Sequence, residues 1–124
     1  MIIRLKSILI IVILISGCDS DSLWSDYPYE VIAIDSYDNV RLGYDVGDGG
    51  YITRVGPRVV LIGSSKKYVV VKQCKNASCA YYYIDKSLDS EIADPNYAVR
   101  GPFSEKEFNA VSNRLGLPKL YSLE

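Results

Sequence analysis

Between Glu30 and Lys86 the chain falls into short apolar, β-branched runs, each stopped by turn-forming residues. The runs are EVIAIDS (Glu30–Ser36), VRLGY (Val40–Tyr44), YITRV (Tyr51–Val55), RVVLIGS (Arg58–Ser64), KYVVVKQ (Lys67–Gln73) and AYYYIDK (Ala80–Lys86). None is long enough for a helix of ordinary length, and β-branched and aromatic residues dominate them, so each reads as a strand. Tyr37-Asp38-Asn39, DVGDGG, Gly56-Pro57 and Ser65-Lys66 separate them. Strands this close, joined by turns this tight, predict an antiparallel meander of five to six strands.

One helix is signalled, and its signals agree. Ser104 stands as N-cap with Glu107 three positions on, a capping box. Phe103 before the cap and Phe108 at the fourth helical position form a hydrophobic staple. Phe108, Val111 and Leu115 share a face, and Gly116 and then Pro118 end the helix. The expected fold class is α+β: the meander, with one C-terminal helix over Glu105–Leu115 packed on the sheet. Between them, SLDSEIADPNYAVRGP reads as an irregular excursion with a turn at Asp94-Pro95-Asn96.

The N-terminus follows different rules. Arg4 and Lys6 are the only charges before Asp19, and SILIIVILI follows them. A membrane-spanning helix needs about 20 apolar residues, roughly twice this run. A positive start, a short apolar centre and small residues before a cut site make a secretory signal peptide. Ile15-Ser16-Gly17-Cys18 resembles the bacterial lipobox: an aliphatic residue, two small ones and a cysteine. That resemblance implies a diacylglyceryl group on the Cys18 thiol, cleavage just before it, and attachment to a membrane through lipid. A thiol suits this transfer because its thiolate is a strong nucleophile near neutral pH. The alternative is an uncleaved signal anchor in which Cys18 is incidental. Asp19, directly after the cysteine, resembles the signal that keeps enterobacterial lipoproteins on the inner membrane. The expected organisation is a signal peptide over 1–17, a lipidated cysteine and tether over 18–29, and one domain over 30–124. In the tether, Trp24 either lies at the lipid interface or docks on the domain.

Removing residues 1–17 takes Arg4 and Lys6 from fourteen basic residues, leaving twelve against fifteen acidic. A net charge near −3 argues against general affinity for nucleic acid. Asp19–Asp48 holds eight acids and one base, Arg41, while the chain from Gly49 onward holds eleven bases and seven acids. Such asymmetry makes either an electrostatic binding face or plain solvated surface. The absence of histidine removes the commonest general base and metal ligand. Eleven tyrosines suit half-exposed sheets and recognition surfaces alike.

Four groups deserve a chemical reading. If the runs before Cys74 and after Cys79 pair as a hairpin, the two cysteines face each other, and export favours a disulfide. Free thiols and a redox pair are the alternatives, although the pair lacks the CxxC spacing of redox catalysts. Asp45-Val46-Gly47-Asp48-Gly49-Gly50 lacks the alternating acids of an EF-hand loop and reads as a glycine turn. A carboxylate pair such as Asp45 and Asp48 has a conceivable acid–base role. Asn76-Ala77-Ser78 is formally a glycosylation sequon, with no modification expected in a bacterial lipoprotein. Tyr81 and Tyr83 share one sheet face and are a candidate contact surface, or else core and filler.

GDGGYITRV, KYVVVKQ, YYYIDK and GPFSEKEF followed by LGLP, spanning Gly47–Pro118, resemble a family of small bacterial lipoproteins of unknown function. Its members carry a GDGY entry, a YYIIDK-like strand and a GP(L/F)(S/T)xxEF helix start. The Cys74–Cys79 insertion departs from that pattern. The resemblance implies fold and location and no activity. The expected function is a non-enzymatic binding module in the cell envelope, of exclusion or immunity type, with a protein partner. A structural or assembly accessory of an envelope complex is the alternative, and an enzyme is the least favoured. No catalytic residue, metal ligand or cofactor is assigned.

Overall fold

A computed structural model describes residues 20–123 of the chain. Cys18 and Asp19 lie outside the described residues. Among the described residues, nine strands form two antiparallel sheets. The first joins β1 (Ser20–Asp26), β2 (Tyr29–Ile34), β3 (Val40–Gly47) and β4 (Gly50–Val55) in that order. The second runs β8 (Val99–Phe103), β7 (Ser78–Asp85), β6 (Tyr68–Lys75), β5 (Val59–Ser64) and β9 (Tyr121–Ser122).

The single meander is therefore corrected. The six expected runs are strands β2 to β7, but Gly56-Pro57 divides them three and three. The crossing is held from the second sheet: the Gln73 side-chain amide donates to the carbonyls of Gly56 and Pro57 at 3.1 and 2.9 Å. The physical reason for the division lies in the faces that need covering. Tyr29, Val31, Val40, Leu42 and Val55 of the first sheet pack against Val59, Ile62, Val69, Val71 and Ile84 of the second. A single sheet capped by one eleven-residue helix would leave most of one apolar face in water.

The second sheet is apolar on both faces. Helix α2 (Glu105–Leu115) covers its far side, where Phe108 meets Val70 and Tyr81, flanked by Phe103, Leu117 and Leu120. The architecture is sheet, sheet, helix. Strand β6 lies in the middle layer, so Val69, Val70 and Val71 are all 0% exposed. An unbroken apolar triplet is what a strand buried on both faces requires. The helix has the expected capping box, with Ser104 Oγ accepting from Glu107 N and Glu107 Oε1 accepting from Ser104 N. Gly116 closes it in the left-handed conformation.

Three further strands were not anticipated. The expected tether is in large part β1, antiparallel to β2 from Ser20↔Ile34 to Asp26↔Tyr29. Trp24 docks on the domain, packed against the inter-sheet core. The excursion after Lys86 is a 3-10 turn (Lys86–Leu88), one short helix, α1 (Pro95–Ala98), and then β8, which pairs with β7. The expected turn at Asp94-Pro95-Asn96 starts α1, where Asp94 caps the helix by accepting from Asn96 N.

Candidate functional site

The most unusual chemistry lies at one end of the sandwich and starts from a register shift. Leu42 pairs with Val55 but Gly43 pairs with Thr53, so Arg54 is the extra residue of a bulge in β4. A bulge re-aims a side chain that strict alternation would place elsewhere. The guanidinium turns inward and meets Asp89, the residue that ends the 3-10 turn. Arg54 Nε lies 3.0 Å from Asp89 Oδ2 and Nη2 lies 3.0 Å from Oδ1. Nη2 also donates to the Ser90 carbonyl at 2.8 Å. Both side chains are 0% exposed.

Two tyrosines complete the cluster. Tyr29 donates its hydroxyl to Asp89 Oδ2 at 2.9 Å. The Arg54 guanidinium carbon stands 4.8 Å from the Tyr44 ring centroid, and the Tyr29 and Tyr44 rings meet edge to face at 5.4 Å. Arg54 Nη1 is buried without a hydrogen-bond partner among the described residues. The adjacent ring gives the cation a partial substitute for one. Burial, and then the Asp89 carboxylate, push the pKa of the Tyr29 hydroxyl far above the ordinary tyrosine value. Burial first and Asp89 second raise that of Tyr44 too.

Every oxygen of Asp89 is already engaged: Oδ1 by Arg54 and Ser90 N, Oδ2 by Arg54 and Tyr29. A carboxylate so occupied has no free lone pair to offer a substrate. The cluster is a latch that ties the start of the excursion to the first sheet. A second ion pair at this end joins Lys86 to Asp26 at 2.7 Å. Its hydrogen bond from Lys86 holds the Asp26 carboxyl below the usual range.

Around the latch lie side chains that the core does not use. Tyr27, on the β1–β2 turn, is 82% exposed, and Ile92, three residues past Asp89, is 94% exposed. Ile52, the cross-strand partner of Tyr44, and Leu88 are also exposed. Tyr27 and Glu91 both lie near enough to Tyr44 to act on its ionisation.

The opposite end carries two shallow grooves. One, of about 230 Å³, is lined by Leu23, Tyr37, Val40, Arg58, Val59, Val60, Ser122 and Leu123. The other, of about 430 Å³, runs over Asp38, Pro57, Arg58, Val60, Cys74, Lys75 and Asn76. Ser20, the first residue of β1, belongs to this end through its pairing with Ile34.

The residues singled out from sequence are scattered. Cys74 and Cys79 are directly opposed across the β6–β7 hairpin and form a disulfide. Asp45 and Asp48 belong to the β3–β4 turn, where Asp45 Oδ1 accepts from Gly47 N. Asp48 and Gly49 both have positive φ there, as a two-residue hairpin turn of the primed kind demands. Among the described residues, no three His, Cys, Asp or Glu side chains gather as metal ligands. Tyr81 and Tyr83 are corrected as a contact surface. Their sheet face is the one α2 covers: Tyr81 is buried and stacks on Phe108 at 5.0 Å, and half-buried Tyr83 stacks on Phe103 at 6.0 Å. Cys18 and Asp19, the lipidation and sorting residues, lie outside the described residues.

No local signal marks Arg54 or Asp89, because a bulge and a separation of 35 positions join them. Comparison with protein-family models, with curated proteins and with solved structures finds no match.

Proposed function

We propose that this chain is a lipid-anchored envelope protein whose single domain is a non-enzymatic binding module. The observation that supports the reading is the apolar run ending in Ile15-Ser16-Gly17-Cys18, two positions before the first strand residue, Ser20. Two extended residues span at most about 7 Å. An acylated Cys18 therefore holds the domain against the bilayer. Cleavage at this point leaves no apolar segment of membrane-spanning length, and no helix among the described residues is long and apolar enough to cross a membrane. Lipid on Cys18 supplies the anchor, and two or three acyl chains make it stable.

A protein confined in this way meets partners in the same membrane at high effective concentration, so modest affinity suffices. The partner in this reading is a protein of the envelope. In a host with two membranes, Asp19 keeps the domain on the inner one, facing the periplasm. The resemblance of Gly47–Pro118 to small lipoproteins of unknown function supports location and fold and adds no activity.

The test is affinity isolation of the wild-type chain from detergent-solubilised membranes, with Cys18→Ser alongside. One stoichiometric partner, lost with Cys18→Ser, is the expected result. Recovery within a large complex of fixed composition would instead assign a structural accessory. A soluble wild-type chain in the cytoplasmic fraction would overturn the reading.

A further inference from the structure

The two grooves at the end away from the latch are one tract. Arg58 and Val60 line both, so the floor runs from Leu23 on β1 to Lys75 and Asn76 at the β6–β7 turn. Its two parts differ in chemistry. The first is walled by Leu23, Val40, Val59 and Leu123. The second holds two cations, Arg58 and Lys75, and one anion, Asp38. None of these three has an ion-pair partner among the described residues, where the two ion pairs are Arg54–Asp89 and Lys86–Asp26. Arg58 is exposed, yet its backbone is fixed: its N–H donates to the Cys74 carbonyl at 3.3 Å, and its carbonyl accepts from Cys74 N at 2.9 Å. Asp38 sits on the β2–β3 turn, which Asn39 N closes by donating to the Ser36 carbonyl at 3.1 Å.

What covers the tract follows from where the chain enters it. Ser20 pairs with Ile34 at this end, and Cys18 stands two positions earlier. On the anchored reading above, at most about 7 Å of extended chain separates the lipidated residue from the strand. The headgroup layer of one leaflet is itself roughly 5–7 Å deep. The tract thus lies at the depth of the headgroups, which surround it at a concentration that lets weak binding suffice. Tyr37 lines its apolar part at 63% exposure, and an amphipathic ring suits that depth.

Charge selects the kind of lipid. Outside the tract this end carries Asp21, Asp35 and Arg41, the last already donating to the Asn39 side chain. Asp19 and Glu124 adjoin Ser20 and Leu123 in the sequence. The start of α2, beyond the second sheet, adds Glu105, Lys106 and Glu107. Acids outnumber bases, so a lipid of net negative charge is repelled rather than drawn. The tract itself holds both signs, and a zwitterionic headgroup matches both: a phosphate for the two cations, an ammonium for Asp38. A primary ammonium donates charge-assisted hydrogen bonds to a carboxylate, and a quaternary one has no proton to donate.

We infer that the tract binds the headgroup of a zwitterionic aminophospholipid of the anchoring bilayer, with Arg58 and Lys75 taking its phosphate and Asp38 its ammonium. The inference rests on the anchored reading and adds an orientation to it. Lipid on Cys18 alone leaves the domain free to roll about its short tether. A headgroup seated in the tract fixes the groove end on the membrane and turns the latch end away from it.

The test places the full chain in phosphatidylcholine nanodiscs carrying increasing fractions of phosphatidylethanolamine or phosphatidylglycerol. It follows the methyl resonances of Val60, Leu123 and Ile92. Co-elution of chain and disc is read first and reports the anchor alone. The expected result is a shift of Val60 and Leu123, with Ile92 unmoved. Phosphatidylethanolamine should produce it at a fraction roughly fivefold lower than phosphatidylglycerol, the worth of one exposed ion pair. Asp38→Asn should erase that difference, and Arg58→Gln with Lys75→Gln should abolish the shift. Lys66→Gln with Lys67→Gln, at the latch end, should change neither. All five positions are exposed, so the fold survives each change. Equal response to the two lipids, a stronger response to phosphatidylglycerol, a response centred on Ile92, or none in a chain that co-elutes overturns the inference and leaves the anchor standing. A chain that does not co-elute overturns the anchored reading instead. Water-soluble glycerophosphoethanolamine is then titrated onto it: the same Val60 shift upholds the site, and its absence overturns the site as well.

Discussion

Asp89 takes two nitrogens of the Arg54 guanidinium from 35 positions away in the chain, with both side chains closed off from water. The pair joins a bulged strand of the first sheet to a segment that otherwise packs little. An apolar pair of similar volume would serve stability as well or better, because desolvating two charges offsets most of their attraction. What the ion pair adds is geometry, since the planar fork accepts one orientation of the carboxylate.

Removing one partner should therefore hurt more than removing both. Asp89→Leu and Arg54→Met each leave an uncompensated buried group, and losses of about 3–5 kcal/mol are expected. The double variant Arg54→Met with Asp89→Leu should lose clearly less than the sum. Urea unfolding of the four chains closes the cycle, and strict additivity would show that the pair is not coupled.

The tyrosines give the domain an alkaline limit. Burial and then Asp89 raise the Tyr29 pKa, and a hydrogen bond to Glu30 pushes that of Tyr51 up to about 12. In the unfolded chain both ionise near the ordinary value of about 10. The folded form thus holds protons that the unfolded form releases, so their contribution is complete below about pH 10 and is lost as pH rises above it. Tyrosinate absorbance should show a late step in which Tyr29 ionises only as the fold is lost, and Tyr29→Phe should delete that step. One common transition near pH 10 in a still-folded chain would refute this.

Gly63 marks a close approach. A Cβ built there would run into the Lys119 carbonyl oxygen, so the chain leading into β9 has to shift. Gly63→Ala should cost about 1–3 kcal/mol, as overpacking does. Gly56→Ala, whose Cβ would meet nothing within 4 Å, is the control. Equal urea midpoints for the two variants would show that β9 docks loosely.

The Cys74–Cys79 bridge closes a loop of six residues, and a ring that short stabilises by about 2 kcal/mol in the chain-entropy account. The hairpin around it is paired over eight positions and packed on both faces. Reduction should lower the urea midpoint and leave the fold intact at rest. Complete unfolding on reduction alone would make the bridge a folding requirement.

What local pattern could show, it showed. The six β-branched runs are strands because their side chains pack on the pleat, and the Ser104–Glu107 box starts a helix because both partners lie within one turn. Residues 20–26 escaped for the opposite reason. An edge strand held by backbone hydrogen bonds needs little apolar side-chain area, and SDSLWSD is mostly polar. The break at Gly56-Pro57 was illegible because a turn between paired strands and a crossing between sheets use the same residues. For Tyr81 and Tyr83 the sequence leaves contact surface and core as alternatives, because a sheet face looks alike whether water or α2 covers it. The latch was invisible, since nothing near Arg54 announces Asp89.

On the proposed reading, lipid on Cys18 holds this domain at a membrane. Mass spectrometry of the N-terminal peptide from the membrane-extracted chain tests it most directly. The account predicts a chain beginning at Cys18, with a diacylglyceryl group on its sulfur and residues 1–17 gone. An unmodified Cys18 within a peptide that still carries Gly17 would contradict it.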